Sequence, residues 1–297
     1  MRGKAILNFA VVVAAFLIFA LQGPASAETL LERGTYLMKG PVACGNCHTP
    51  KGPKGELPGM ELAGGFKIEE EPFTAITSNI TPDKETGIGN WTDEQIIRAI
   101  REGVRPDGAI IGPPMPIGFY RGMSDRDVKA IVAYLRQVKP VKNKVAKSVY
   151  RIPLPKSYGP AVGSVPDVPK DDKLKYGEYL VRIAHCFECH TPMVKGRRDF
   201  KNQLGAGGFP FHGPWGTIFA ANVTPDKKAG IGDWTDRQVK IAITNGVRKT
   251  GEKMLPPMPY PYFKNLTRED LDAIVAYVRT IKPNPKLRKV RHVPPKK

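Results

Sequence analysis

CGNCHTP, residues 44–50, and CFECHTP, residues 186–192, are two versions of one heptad. Each places two cysteines three apart, with a histidine directly after the second. The chain has four cysteines, and the heptads use all of them: Cys44, Cys47, Cys186 and Cys189. On a helical turn, residues i and i+3 share one side. Both sulfurs can then bond to neighbouring substituents of one flat macrocycle, and the next histidine can reach a metal at its centre. That is the physical content of C-x-x-C-H as a haem c attachment signal. Other uses of the cysteines compete with it. A disulfide suits paired cysteines in an exported chain. A redox-active C-x-x-C does not need the adjacent histidine. A zinc site wants a second ligand pair nearby, and neither copy offers one. Two heptads in equivalent places, with no cysteine left over, point to two covalently bound haem c groups, with His48 and His190 as iron ligands.

Outward from the heptads the chain repeats itself. Cys47 and Cys189 are 142 positions apart; past one inserted residue the offset is 143. Ala63-Gly64-Gly65 returns as Ala206-Gly207-Gly208, and NITPDKETGIGNWTDEQ (79–95) as NVTPDKKAGIGDWTDRQ (222–238). PPMP (113–116) returns at 256–259, and the run Ala130 to Tyr134 returns as Ala273 to Tyr277. Two domain-sized copies, each of roughly 110 residues, make a duplication and not a solenoid.

Each copy predicts the same helices. LLERGTYLMKG and LKYGEYLVRIA lead into the cysteine pairs. A second helix opens at Thr92 or Thr235, with Gln95 or Gln238 completing a capping box and Gly103 or Gly246 as the stop. A last helix opens at Ser124 or Thr267, with Asp127 or Asp270 expected to complete another box. Val128, Ile131, Val132 and Leu135 give it a core-facing stripe. No segment reads as a strand, so the expected fold class is all-α. The expected organisation is a first domain at 28–141, a Pro/Lys-rich linker at 142–170, a second domain at 171–283 and a basic tail at 284–297.

PPMP points to a further ligand. Met115 and Met258 are equivalent under the 143 offset, and prolines flank both. Those prolines fix φ and remove donors, which suits presenting one thioether to a metal. Met/His ligation raises the potential of a haem. Met123 and Met254 compete locally, but neither repeats. His185, His212 and His292 have no histidine counterpart in the first copy. Trp91 and Trp234 read as packing under the loop, with a propionate hydrogen bond as the alternative. Arg98, Arg101 and Arg248 read as an exposed helix face before they read as propionate partners. Asn79-Ile80-Thr81 and Asn222-Val223-Thr224 match the glycosylation pattern, yet their repetition inside a shared loop suggests turn chemistry.

The N-terminus resembles a targeting signal. Arg2 and Lys4 precede an apolar run from Phe9 to Leu21, too short to span a bilayer comfortably, and Ala25-Ser26-Ala27 offers a cleavage site. A signal peptide at 1–27 implies a periplasmic, disulfide-permissive location. The formal net charge is +18. That balance makes nucleic acid a candidate partner, but export argues against it. Seven Lys or Arg lie between Lys139 and Lys170 and eight after Asp272. The first group reads as a solvated linker. The tail either does the same or steers toward an acidic protein or an anionic membrane surface.

On these motifs each copy resembles a class I cytochrome c domain, with C-x-x-C-H early, a methionine ligand late and a final amphipathic helix. In that family the first and last helices cross at a glycine and an aromatic residue; Gly34 with Tyr134 and Gly177 with Tyr277 match. The NITPD…GIG…WTD…PPMP…AIVAYLR pattern is similar to the multihaem cytochrome subunit of membrane-associated bacterial dehydrogenases for alcohols, aldehydes or gluconate. Many such subunits carry three haem domains and a membrane-binding segment; this chain shows two and a basic tail. The resemblance implies an electron-transfer protein. Its donor would be a flavin- or quinone-cofactor dehydrogenase, and its acceptor an acidic cytochrome or oxidase. The competing class is a dihaem enzyme, a peroxidase or a thiosulfate dehydrogenase. The latter uses a cysteine ligand, and attachment consumes all four cysteines here.

Overall fold

Thr29 opens the first helix, α1 (Leu30–Lys39), through a reciprocal capping box with Glu32. The structure, a computed structural model, describes residues 27–286 and 292–295. The expected signal peptide therefore lies outside the described residues except for Ala27, as do 287–291 and 296–297 of the tail. In chain order the helices are α1, α2 (Gly45–His48), α3 (Asp93–Glu102), α4 (Ile117–Tyr120) and α5 (Asp125–Gln137). The second copy follows with α6 (Lys173–Ile183), α7 (Cys186–His190), α8 (Asp236–Asn245), α9 (Tyr260–Phe263) and α10 (Arg268–Val278). Among the described residues no helix is long and apolar enough to cross a membrane.

The capping boxes at Thr92/Gln95 and Thr235/Gln238 form, and Gly103 and Gly246 close α3 and α8 in the left-handed conformation. Each N-cap is worth about 1 kcal/mol. The last helices start at Ser124 and Thr267, which accept from the Asp127 and Asp270 amides. Their carboxylates do not fold back to finish a box. The Asp127 carboxylate turns inward to Arg33, whose Nε and Nη2 donate at 2.7 and 2.8 Å.

First and last helices cross at the expected glycines. A Cβ on Gly34 would meet the Ala130 carbonyl oxygen at 2.0 Å, and one on Gly177 the Ala273 oxygen at 2.0 Å. No other residue permits that approach. Tyr134 and Tyr277 stand at the same crossings.

The fold class is not all-α. Helix takes 31% and strand 12% of the chain, so the class is mixed, although two cytochrome-like helical frames persist. Each copy carries two small antiparallel hairpins. In the first copy, β1 (Lys51–Gly52) pairs with β2 (Gly55–Glu56), and β3 (Lys67–Glu70) with β4 (Phe73–Ile76). In the second, β6 (Met193–Val194) pairs with β7 (Arg197–Arg198), and β8 (Pro210–Gly213) with β9 (Gly216–Phe219). Strands of two to four residues are too short to write a readable period-2 pattern. Only β4 alternates with a fully buried face, Phe73 and Ala75.

The linker is a docked strap. Its β5 (Val149–Tyr150) adds to β4, and Arg151 donates to the Glu71 carbonyl at 2.6 Å. Tyr158 donates to the Ile111 carbonyl at 2.8 Å. The tail does the same: β10 (His292–Val293) adds to β9. β5 and β10 obey the 143 offset, so the repeat runs on into the stretch read as a basic tail.

The two copies pack together by a pseudo-two-fold rule. Tyr36 of the first donates to Asp270 of the second at 2.5 Å, and Tyr179 of the second donates to Asp127 of the first at 2.6 Å. Tyr36 and Tyr179 are repeat equivalents, as are Asp270 and Asp127. One continuous apolar core runs through both copies.

Candidate haem sites

The chain reaches each heptad through a strained residue. Ala43 and His185 occupy the same place and both have left-handed φ, 50° and 42°. That conformation costs a side-chain-bearing residue of order 1 kcal/mol. It turns the backbone sharply into α2 and α7. His185 is half-buried, edge-on to Tyr120 of the first copy with centroids 6.2 Å apart. It is an interface residue, and burial pushes its pKa down to about 4.

Two carbonyls orient the heptad histidines. His48 Nδ1 lies 2.8 Å from the Ser78 carbonyl oxygen, and His190 Nδ1 lies 2.8 Å from that of Ala221. A carbonyl can only accept, so Nδ1 carries the proton and Nε2 keeps a free lone pair. A second partner that fixes the tautomer in this way is the usual support of a ligating imidazole. Burial lowers both histidine pKa values and keeps the rings neutral. Gly64 and Gly207 explain their own repetition here. Both have positive φ, and a Cβ on either would meet the carbonyl carbon of Ser78 or Ala221 at 2.4 Å. The glycines let the loop that supplies the carbonyl press against the heptad. The Thr of each heptad pins the same loop: buried Thr49 accepts from the Leu62 amide and Thr191 from the Gly205 amide.

All four cysteines are free thiols and half-buried. Burial raises each of them, with Cys44, Cys186 and Cys189 pushed up to about 12. Redox-active C-x-x-C pairs need the opposite shift. Among the described residues no three His, Cys, Asp or Glu cluster as a metal site. Paired neutral thiols beside a histidine with a free Nε2 fit covalent haem.

The repeated methionines sit on matching loops. A cis Pro113–Pro114 bond precedes Met115 and a cis Pro256–Pro257 bond precedes Met258. The Ile117 amide donates to the Met115 carbonyl and the Tyr260 amide to the Met258 carbonyl, each at 2.9 Å. Both side chains are half-buried at the edge of the core. Met123 is fully enclosed in that core. Of the arginines, Arg101 is buried and pairs with Asp125 at 2.7 Å, Arg98 pairs with Glu102, and Arg248 with Glu252. Asn79 and Asn222 are buried and accept from Thr81 and Thr224, so both Asn-x-Thr sites are turn chemistry.

Sequence reading missed Tyr120 and Glu188. Glu188 is the third residue of CFECHTP, and burial raises its carboxyl to about 7. Within its own heptad Glu188 adds to the burial that raises Cys189, and Cys47 of the other copy adds a smaller part. Cys47 responds in turn to Glu188. Buried Tyr120 feels Cys44, Cys47 and Glu188 together. The two attachment turns are therefore neighbours across the domain boundary. No local motif signals this, because the pairing is set by the duplication.

The cytochrome c family model matches the chain twice, at residues 31–139 and 174–282. The fructose dehydrogenase cytochrome subunit of Gluconobacter japonicus is 34% identical over 87% of this chain and 54% of its own length. The gluconate 2-dehydrogenase cytochrome c subunit of Pantoea cypripedii is 29% identical over 88% of this chain and 62% of its own. A dihaem c-type cytochrome of Cereibacter sphaeroides is 28% identical over 80% of this chain and 81% of its own. The chain spans about half the length of the first of these relatives.

Proposed function

Because this chain belongs to the cytochrome c family, we propose that it is a two-centre electron carrier working beside a dehydrogenase. Cys44 and Cys47 would hold one haem c and Cys186 and Cys189 the other. His48 and His190 would be the proximal ligands, and Met115 and Met258 the opposite ones. When bound, each haem supplies a single-electron couple, Fe(III)/Fe(II), whose potential Met/His ligation raises. The protein's part is to keep that ligand set fixed. Carbonyl-anchored imidazoles and proline-framed methionines hold still, so little reorganises when charge changes.

The observation that carries the reading is the packing of the two copies beside the attachment turns: His185, directly before Cys186, lies edge-on to Tyr120 of the first copy with centroids 6.2 Å apart. It supports an internal relay and not two isolated sites. The names of the dehydrogenase-subunit relatives support a dehydrogenase as electron donor, and a flavin- or quinone-cofactor enzyme is the proposed kind. An acidic cytochrome or oxidase in the periplasm is the proposed acceptor.

Two measurements test this. Pyridine haemochrome absorbance should give two haems per chain. The oxidised protein should show the near-infrared methionine-sulfur band, reduced by about half in Met115→Ala and again in Met258→Ala. An undiminished band in either variant removes that ligand. Rapid peroxide turnover by the purified protein would favour a dihaem enzyme instead.

A further inference from the structure

The two copies keep their first hairpins for different purposes. In the first copy, Glu56 at the end of β2 accepts from Tyr262 of the second copy at 2.7 Å. Lys51 lies over the Phe66 ring and donates to Asn46. Leu57 is the one large exposed apolar residue there. This hairpin reaches the domain interface through Glu56 and shows one large apolar side chain to solvent.

The matching hairpin of the second copy faces outward. Met193, Val194 and Phe200 are exposed by 45%, 42% and 43%, three large apolar groups within eight residues. Its turn, Lys195-Gly196, has positive φ at both positions, the geometry of a tight, well-defined hairpin. Exposed Lys195, Arg197 and Lys201 ring the apolar groups. The only acid in the stretch, Asp199, is occupied by Asn202 and Gln203. Arg198 buttresses the hairpin by donating to the Thr191 carbonyl at 2.8 Å and lying over Phe209. The hairpin thus sits directly on the second attachment turn, and Phe200 meets Phe119 of the first copy edge-on at 5.7 Å.

We propose that this β6–β7 hairpin is the docking face for an acidic redox protein, and that electrons cross to or from the partner at the second domain. An apolar centre with a cationic rim is the pattern of an electrostatically steered, transient interface. The centre excludes water and the rim selects a negative surface. This inference rests on the electron-carrier reading above.

The test uses the holoprotein and flavodoxin hydroquinone as an acidic one-electron probe, followed by stopped flow at several ionic strengths. Lys195→Glu/Arg197→Glu/Lys201→Glu should slow the second-order rate about 10-fold at low salt and abolish its salt dependence. The control, Lys54→Glu/Lys286→Glu, should change it by less than about 2-fold. Equal slowing by both variants, or by neither, overturns the proposal. So does a hairpin variant that keeps its protein rate but loses binding to phosphatidylglycerol vesicles, since that outcome assigns the face to a membrane. A mediated redox titration separates the two claims: haems that cycle reversibly leave the carrier reading intact whatever the hairpin does. Haems that fail to cycle overturn both.

Discussion

In the first domain Asp127 receives two nitrogens of Arg33 and the hydroxyl of Tyr179 from the second domain. In the second domain its repeat, Asp270, receives Tyr36 from the first domain, but the residue equivalent to Arg33 is Tyr176. Both aspartates are almost fully buried, at 3% and 4% exposure. The same backbone and the same cross-domain tyrosine therefore support two different ways to keep a carboxylate inside. One is a closed ion pair. The other is hydrogen bonding, with a tyrosine hydroxyl left over: Tyr176 is buried and finds no partner. Burial alone would lower the Arg33 pKa, yet Asp127 raises it, so the guanidinium stays charged. The duplication fixed the position of the acid, and the partner was free to diverge.

The sharpest way to break this comparison is to remove each partner in turn. Arg33→Met leaves Asp127 buried without its cation and should cost about 3–5 kcal/mol. Tyr176→Phe deletes a hydroxyl that makes no bond and should change stability by less than about 1 kcal/mol. Denaturant unfolding of the holoprotein measures both. Similar losses would mean that Tyr176 supports Asp270 as firmly as Arg33 supports Asp127.

The sequence made some of this visible and hid the rest for physical reasons. The heptads and the Thr92 and Thr235 boxes rest on short-range rules, the Gly34 and Gly177 crossings came from the family resemblance, and the structure contains both boxes and both crossings. Asp127 and Asp270 read as local caps because capping is a three-residue signal. Their real partners lie 94 and 234 positions away in sequence. The hairpins were missed because two- and four-residue strands in Gly- and Pro-rich loops carry no readable period. The linker read as solvated charge, yet β5 holds it through backbone bonds, which are blind to side-chain type. For the site, the thiols and histidines stood out in the motif. The packing of Tyr120 against His185 beside the second heptad did not, since it depends on how two copies meet.

The cross-domain tyrosines sharpen the comparison further. Hydrogen bonds to a charged group are worth about 1.5–3 kcal/mol. Tyr36→Phe should reach the upper part of that range, because Asp270 then loses its one side-chain donor from the first domain. Tyr179→Phe should fall in the lower part, because Arg33 still holds Asp127. The same unfolding measurement decides it, and equal costs would show that the arginine does not share the load.

The smallest effect concerns how each domain holds the segment that follows it. Asp125, at the start of α5, accepts from Ser164 at 2.8 Å, from the Val165 amide at 3.2 Å and from Arg101. Its pKa is lowered to about 2, first by the Ser164 hydrogen bond and then by Arg101. A carboxyl lowered in the folded state contributes stability above its ordinary pKa, and that contribution is lost as pH falls through the folded value. The clamp should therefore be complete above about pH 4 and open between about pH 4 and 2. The repeat of Asp125 is Arg268, so the second domain has no equivalent acid switch. Hydrogen exchange at Val165 should accelerate on acidification in the wild type. In Asp125→Asn it should already be fast at neutral pH and respond little to acid. Exchange within β10 should be the same in both proteins. If Val165 exchanged alike in both, the strap would be held by β5 and Tyr158 alone, and Asp125 would only terminate its helix.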